Sequence, residues 1–133
     1  MAGPTPSVLV IEDDEAIRSS VADALRDEGW SVAVASDGQQ ALQLLRSEAR
    51  PTAIVLDLMM PFMSGHEFME AIRKEPSLAG LPVIQMSAGQ NTAIPGVAAR
   101  LDKPFRIERL LHLLSTFARV EVATPTSVAV FRL

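Results

Sequence analysis

Three carboxylates, a hydroxyl and an ammonium stand at the ends of short segments that read as strands. Glu12 and Asp13 follow Val8-Leu9-Val10-Ile11, and Asp57 follows Ala53-Ile54-Val55-Leu56. Ser87 follows Val83-Ile84-Gln85-Met86, and Lys103 closes Arg100-Leu101-Asp102. Apolar runs of this length, rich in β-branched residues, read as strands covered on both faces of a parallel sheet. Strand ends of one sense share an edge there, and α/β folds place their ligands at that edge. If the first and third strands are neighbours, Glu12, Asp13 and Asp57 meet at it. Three unpaired carboxylates in close contact repel, and a hard cation relieves them. Few oxygen ligands, with room left for water and phosphate, suit Mg²⁺ better than a closed Ca²⁺ cage. A carboxylate beside such an ion can attack a phosphoryl group and form an acyl phosphate, the metal neutralising charge on the phosphoryl oxygens. Asp57, at the end of the central run, is the candidate nucleophile. Lys103, as a point charge, and the Ser87 hydroxyl would hold the product. A phosphate brings about two negative charges and three strong acceptors, enough to draw Ser87 and its loop inward and make the site a switch.

The elements that must position these groups are legible from periodicity. Ile17, Val21 and Leu25 recur at helical spacing, with an acidic first turn and Gly29 after the end. Trp30 to Ala35 reads as a second strand, and Ala41, Leu42, Leu44 and Leu45 mark a second helix that ends before Pro51. Ala53 to Leu58 is the third strand. Ser64 and Glu67 form a capping box for a third helix with a Gly65, Phe68, Met69, Ile72 stripe, ending at Pro76. The fourth strand is expected over Leu81 to Met86, with Ser87 to Asn91 as loop. Pro95-Gly96 interrupts the segment from Thr92 to Arg100, so at most a short helix is expected around Val97 to Ala99. A brief fifth strand is expected near Arg100 to Asp102. Ile107, Leu110, Leu111, Leu114, Phe117 and Ala118 form the clearest helical stripe. This alternation predicts an α/β fold with a doubly wound, five-stranded parallel sheet and right-handed crossovers. Residues 1–6 read as a loose terminus, 7–119 as one domain, and 120–133, with Thr124-Pro125-Thr126-Ser127, as a tail or linker.

Composition narrows the classes. The chain has 133 residues, 48% apolar and 21% charged, which suits one globular domain. A net charge of −4 argues against direct nucleic-acid binding. The absence of cysteine excludes disulfides and thiolate metal sites. No run approaches the roughly 18 apolar residues of a membrane helix, and Met1 to Ser7 lacks the features of a secretory signal. A cytoplasmic protein with no membrane insertion is expected. His66 and His112 each stand alone on helices and read as surface residues. Met59, Met60, Met63 and Met69 read as core and rim filler, and Trp30 as packing beneath a helix end.

These residues resemble the receiver domain of two-component response regulators, of the kind found in chemotaxis regulators. The likeness runs from Ser7 to about Arg119. It is carried by Val8 to Glu15, by Val55-Leu56-Asp57-Leu58-Met59-Met60-Pro61 with Gly65, by Val83 to Ala88, and by Lys103-Pro104-Phe105. The resemblance implies a flavodoxin-like strand order, 2-1-3-4-5. It implies that Asp57 is the phosphoacceptor, that Asp13 and Asp57 bind Mg²⁺ directly with Glu12 acting through water, and that the Met59 backbone carbonyl completes the protein ligands. Ser87 would take the family's switch hydroxyl position, and Lys103 would pair with the phosphate, its direction set by a cis Lys103-Pro104 bond. The donor would be a phosphohistidine on a sensor histidine kinase or histidine phosphotransfer protein, with a further downstream protein reading the switch.

Two departures stand out. Arg100 occupies the position where the family usually has an aromatic residue that swings inward, and the chain has no tyrosine. The stretch from Ser87 to Lys103 is also roughly one and a half helical turns short, so the fourth helix is expected to be shortened or remodelled. Dimerisation through a face built on that helix is therefore expected to be weak or absent. Sedimentation with and without an acyl-phosphate mimic checks this, and a mimic-driven dimer using that face would refute it. An aspartyl-nucleophile phosphatase is a competing class, but it needs an acid/base carboxylate two residues after the nucleophile, where Met59 stands. A flavin or nucleotide binder would need a Gly- and Ser-rich first loop instead of Glu12-Asp13-Asp14-Glu15. A receiver-like interaction domain not controlled by phosphorylation is the remaining alternative. No enzyme activity is expected beyond Mg²⁺-dependent self-phosphorylation and slow self-dephosphorylation.

Overall fold

A computed structural model describes residues 6–47, 50–58, 60, 62–88 and 93–123, the last five as backbone. The elements are β1 (Ser7–Ile11), α1 (Glu15–Asp27), β2 (Ser31–Ala35), α2 (Gly38–Ser47), β3 (Ala53–Asp57), α3 (Gly65–Arg73), β4 (Val83–Ala88), β5 (Ala99–Lys103) and α4 (Ile107–Ala123). All strand pairs are parallel, in the order β2-β1-β3-β4-β5. This is the doubly wound arrangement expected from the alternation of strands and helices.

The strand residues divide by the two-residue pleat. Leu9, Ile11, Ile54 and Leu56 face a layer built by Ala41, Leu42 and Leu45 of α2 and Phe68, Met69 and Ile72 of α3. Val8, Val10, Val55, Ile84, Met86 and Leu101 face Val21 and Leu25 of α1 and Leu110 and Leu114 of α4. Every residue of β3 is buried, as a strand covered on both faces requires. Trp30 packs half-buried against the α1–α4 layer. Helix α4 continues through Arg119 to Ala123.

Local chemistry sets the helix starts nearest the sheet edge. Asp14 caps α1, its side chain accepting from the Ile17 N–H. Ser64 caps α3: its hydroxyl accepts from the Glu67 N–H at 3.2 Å, and the Glu67 carboxylate accepts from the Ser64 N–H at 2.9 Å. Ser64→Ala breaks one half of this capping box and should lower stability by about 1 kcal/mol. Urea denaturation would show the shift as a lower midpoint at unchanged slope. Gly65 lets α3 approach the end of β3: a Cβ there would stand 3.2 Å from the Leu58 carbonyl oxygen and from Ile94 Cδ1.

One sequence expectation is corrected. Strand β4 starts and ends two residues later than expected, so Ser87 and Ala88 lie in the strand, paired with Asp102 and Lys103. The pattern of apolar residues does not show that Ser87 and Ala88 still pair with β5, which only the sheet supplies. The sequence allows at most a short helix around Val97 to Ala99, and none forms there. Among the described residues no helix lies between β4 and β5. A turn at Pro95-Gly96, with Gly96 at φ 97°, leads directly to β5, and the Ala98 N–H already donates to Val83 O at 2.8 Å. Pro95 offers no N–H for a helix, and Gly96 has left the helical region. Ile94, 3% exposed, inserts its side chain into the α2–α3 layer from this strap.

Candidate functional site

The strand order brings the ends of β1, β3, β4 and β5 to one edge. Ile11 pairs with Leu56, Asp57 with Met86, and Ala88 with Lys103. Glu12, Asp57 and Lys103 therefore arrive from sequence-distant segments at one place. Lys103 Nζ donates to Glu12 Oε1 and to Asp57 Oδ1, both at 3.1 Å. Glu12 is 1% exposed and Asp57 5%. Asp13 is exposed, yet its carboxylate completes a group with Glu12 and Asp57 whose ligand oxygens lie within 4.8 Å of one another. Met59 lies outside the described residues. The Lys103-Pro104 peptide is cis.

The electrostatics follow from this burial. Loss of solvent pushes the Glu12 carboxyl up, to about 7. The Asp14 N–H opposes the rise, the Asp57 charge adds to it, and Lys103 pulls against it. Burial by itself would lower the Lys103 ammonium, but its bonds to Glu12 and Asp57 outweigh that and raise it. One ammonium thus faces two buried carboxylates, so the pocket keeps an excess of negative charge whenever Glu12 is ionised.

The remaining candidates have definite places. Ser87 is buried at the end of β4, its hydroxyl accepting from Gln85 Nε2 at 3.4 Å. Arg100 is exposed and pairs with Asp102, Nε to Oδ1 at 3.0 Å. His66 and His112 are exposed. The sequence reading did not single out two supporting residues. Arg18 of α1 donates from Nη1 to the carbonyl oxygens of Glu12 at 2.9 Å and Asp13 at 3.4 Å, clamping the acidic turn from behind. Gln85 is fully buried and polar in a strand that is otherwise apolar up to Ser87. A lone amide in such a run was a visible signal, but its partners were not. Beside Lys103, an apolar groove of about 530 Å³ runs between α1 and the start of α4, lined among others by Ile17, Val21, Phe105 and Ile107.

A five-stranded doubly wound sheet with buried acids and a lysine at its switch point defines a receiver-type signalling module. The chain belongs to the response regulator receiver domain family, whose model matches residues 8–115. It is 37% identical to a probable transcriptional regulatory protein, TcrX, of Mycobacterium tuberculosis, over 96% of this chain and 56% of that protein. It is 36% identical to the response regulator MprA of Mycolicibacterium vanbaalenii, over 84% of this chain and 50% of that protein. The chain thus spans about half the length of these curated relatives. Among solved structures, the Francisella response regulator 1452 receiver domain superposes with a TM-score of 0.76 at 32% identity, covering 84% of this chain and 95% of that one. The two-component assignment made from the sequence motifs is the one these matches support. Among the described residues, no helix is long and apolar enough to cross a membrane.

Proposed function

We propose that this receiver domain is a phosphorylation-controlled switch, with Asp57 as its phosphoacceptor. The observation that carries the reading is the contact of one lysine with two nearly fully buried carboxylates at the switch point. The oxygens gathered by Glu12, Asp13 and Asp57 fit a hard divalent ion, being anionic, close together and open to solvent on the Asp13 side. Asp13 and Asp57 would hold Mg²⁺ directly, Glu12 through water, and the Met59 carbonyl would complete the set. Bound there, Mg²⁺ neutralises charge on the phosphoryl oxygens.

An Asp57 carboxylate oxygen attacks phosphorus, forming the O–P bond as the P–N bond of a phosphohistidine breaks and the imidazole leaves. The donor is a sensor histidine kinase or histidine phosphotransfer protein. Lys103 Nζ, already beside Asp57, donates to a phosphoryl oxygen, and the Ser87 hydroxyl donates to another. A protein donor must cover Asp57 during transfer, and the apolar groove beside Lys103 offers it contact area. A downstream protein then reads the changed surface.

Incubation with Mg²⁺ and a small phosphodonor should add one acid-stable, base-labile phosphoryl group by intact mass, and chelation of the metal should prevent it. Peptide mapping should place the group on Asp57. An unlabelled protein under saturating donor, or a label on another residue, would refute the proposal.

A further inference from the structure

The buried Gln85 amide touches the site on one side and the β4–β5 strap on the other. It is 0% exposed and lies two residues before Ser87, so both side chains emerge from the same face of β4. Its Nε2 donates to Ser87 Oγ at 3.4 Å, while its Oε1 accepts from the Ile94 N–H at 2.7 Å. Ile94 is held by its buried side chain, by its closeness to Gly65 at the start of α3, and by the turn in which the Val97 N–H donates to Ile94 O at 3.2 Å. The next residue, Pro95, accepts from Arg73 Nη1 at 2.8 Å. Ala93, Pro95, Gly96 and Ala98 are exposed, so the strap carries surface that a partner can read.

We infer that Gln85 is a positioning residue that couples the Ser87 hydroxyl to the strap of residues 93–98, in the crossover where this chain has no described helix. The inference rests on the proposal that Asp57 is phosphorylated. A serine hydroxyl has a single hydrogen, and donating it to a phosphoryl oxygen re-aims Oγ by rotation about χ1. The bond from Gln85 is already near the long limit, so a small displacement of Oγ breaks it. Loss of that bond unbalances the contacts of a fully buried amide, so the carboxamide turns to follow Oγ. It is a rigid planar unit, and Oε1 moves with Nε2. The Ile94 N–H must follow or lose its acceptor, and the strap shifts with it. Arg100, standing at the usual aromatic position, is not needed for this route.

The test uses the ¹⁵N-labelled 133-residue chain and reads the Ile94 amide by NMR and hydrogen exchange. Without any phosphoryl mimic, Ser87→Ala should shift that resonance and speed its exchange roughly threefold or more. An unchanged Ile94 amide, with shifts confined to residues adjoining position 87, would overturn the coupling whether or not Asp57 is phosphorylated. With Mg²⁺ and beryllofluoride, the wild-type Ile94 resonance should move. In Gln85→Met, which keeps the volume but removes the bonds to Ser87 and Ile94, Asp57 should still load while Ile94 stays put. An Ile94 shift of wild-type size in that variant would also overturn the coupling. Failure of the wild type to load would instead refute the phosphoacceptor reading, and the Ser87→Ala comparison would still decide the coupling.

Discussion

Asp57→Asn should take up no phosphoryl group at any donor concentration, while the wild type labels fully. The amide nitrogen that replaces one oxygen has its lone pair delocalised into the carbonyl, and the remaining oxygen carries no full charge, so neither can act as the nucleophile. The change also removes one of the charges proposed to hold the divalent ion. Folding is not the cause of the loss. Asparagine keeps the shape of the side chain and can still pair its oxygen with Lys103. Glu12 loses the neighbouring charge that helped to push its carboxyl up. The variant should therefore unfold within about 1 kcal/mol of the wild type in chelator, because a like-charge repulsion is relieved as one ion pair is weakened. Intact mass and thermal unfolding on the same samples separate the two effects. Residual label in a folded Asp57→Asn protein would move the acceptor elsewhere.

The second large effect is a loss of stability with rising pH in the metal-free protein. The Glu12 carboxyl titrates near 4.5 when solvated and near 7 in the fold. Between those values the folded state binds the proton and the unfolded state does not, so stability falls as pH rises. The contribution is fully present below pH 4.5 and is gone once pH has passed about 7. Across that window the loss amounts to about 3 kcal/mol. Glu12 is almost fully buried, so solvent does little to screen it. Lys103 acts at a different point: its raised pKa adds stability that is present at neutral pH and fades only above the ordinary lysine value of 10.5. Urea unfolding in chelator at pH 5 and pH 8 measures the Glu12 effect. A divalent ion must be kept out, because it would compete with the proton for the same carboxylates. Glu12→Gln should flatten the slope in this window and be more stable than the wild type at pH 8. A wild-type protein equally stable at both values would show that Glu12 is solvated or fully compensated.

The sequence by itself determined which segments are strands and helices, because the spacing of apolar residues is a local property. Leu110 and Leu114 are fully buried in α4, and Ala53 to Leu56 in β3, as their patterns require. Ser64 and Glu67 form their capping box for the same reason, since the partners lie within one helical turn. The acidic turn at Glu12 and Asp13 and the acid at Asp57 were legible as residue types out of place beside apolar runs.

Tertiary structure alone decided what those groups touch. That Lys103 reaches Glu12 and Asp57 depends on β5, β3 and β1 ending at one edge, across separations of 91 and 46 residues. That Ser87 and Ala88 belong to β4 was decided by pairing with β5 and not by their own propensity. Pro95-Gly96 leaves room for at most a short helix in the β4–β5 crossover, but a local pattern cannot show that Ile94 is drawn into the core and that the Ala98 N–H is taken by Val83. Gln85 is the sharpest case. Its identity was plain in the chain, but an amide states its purpose only through its partners, and one of them, Ile94, comes from a segment that no periodicity could place.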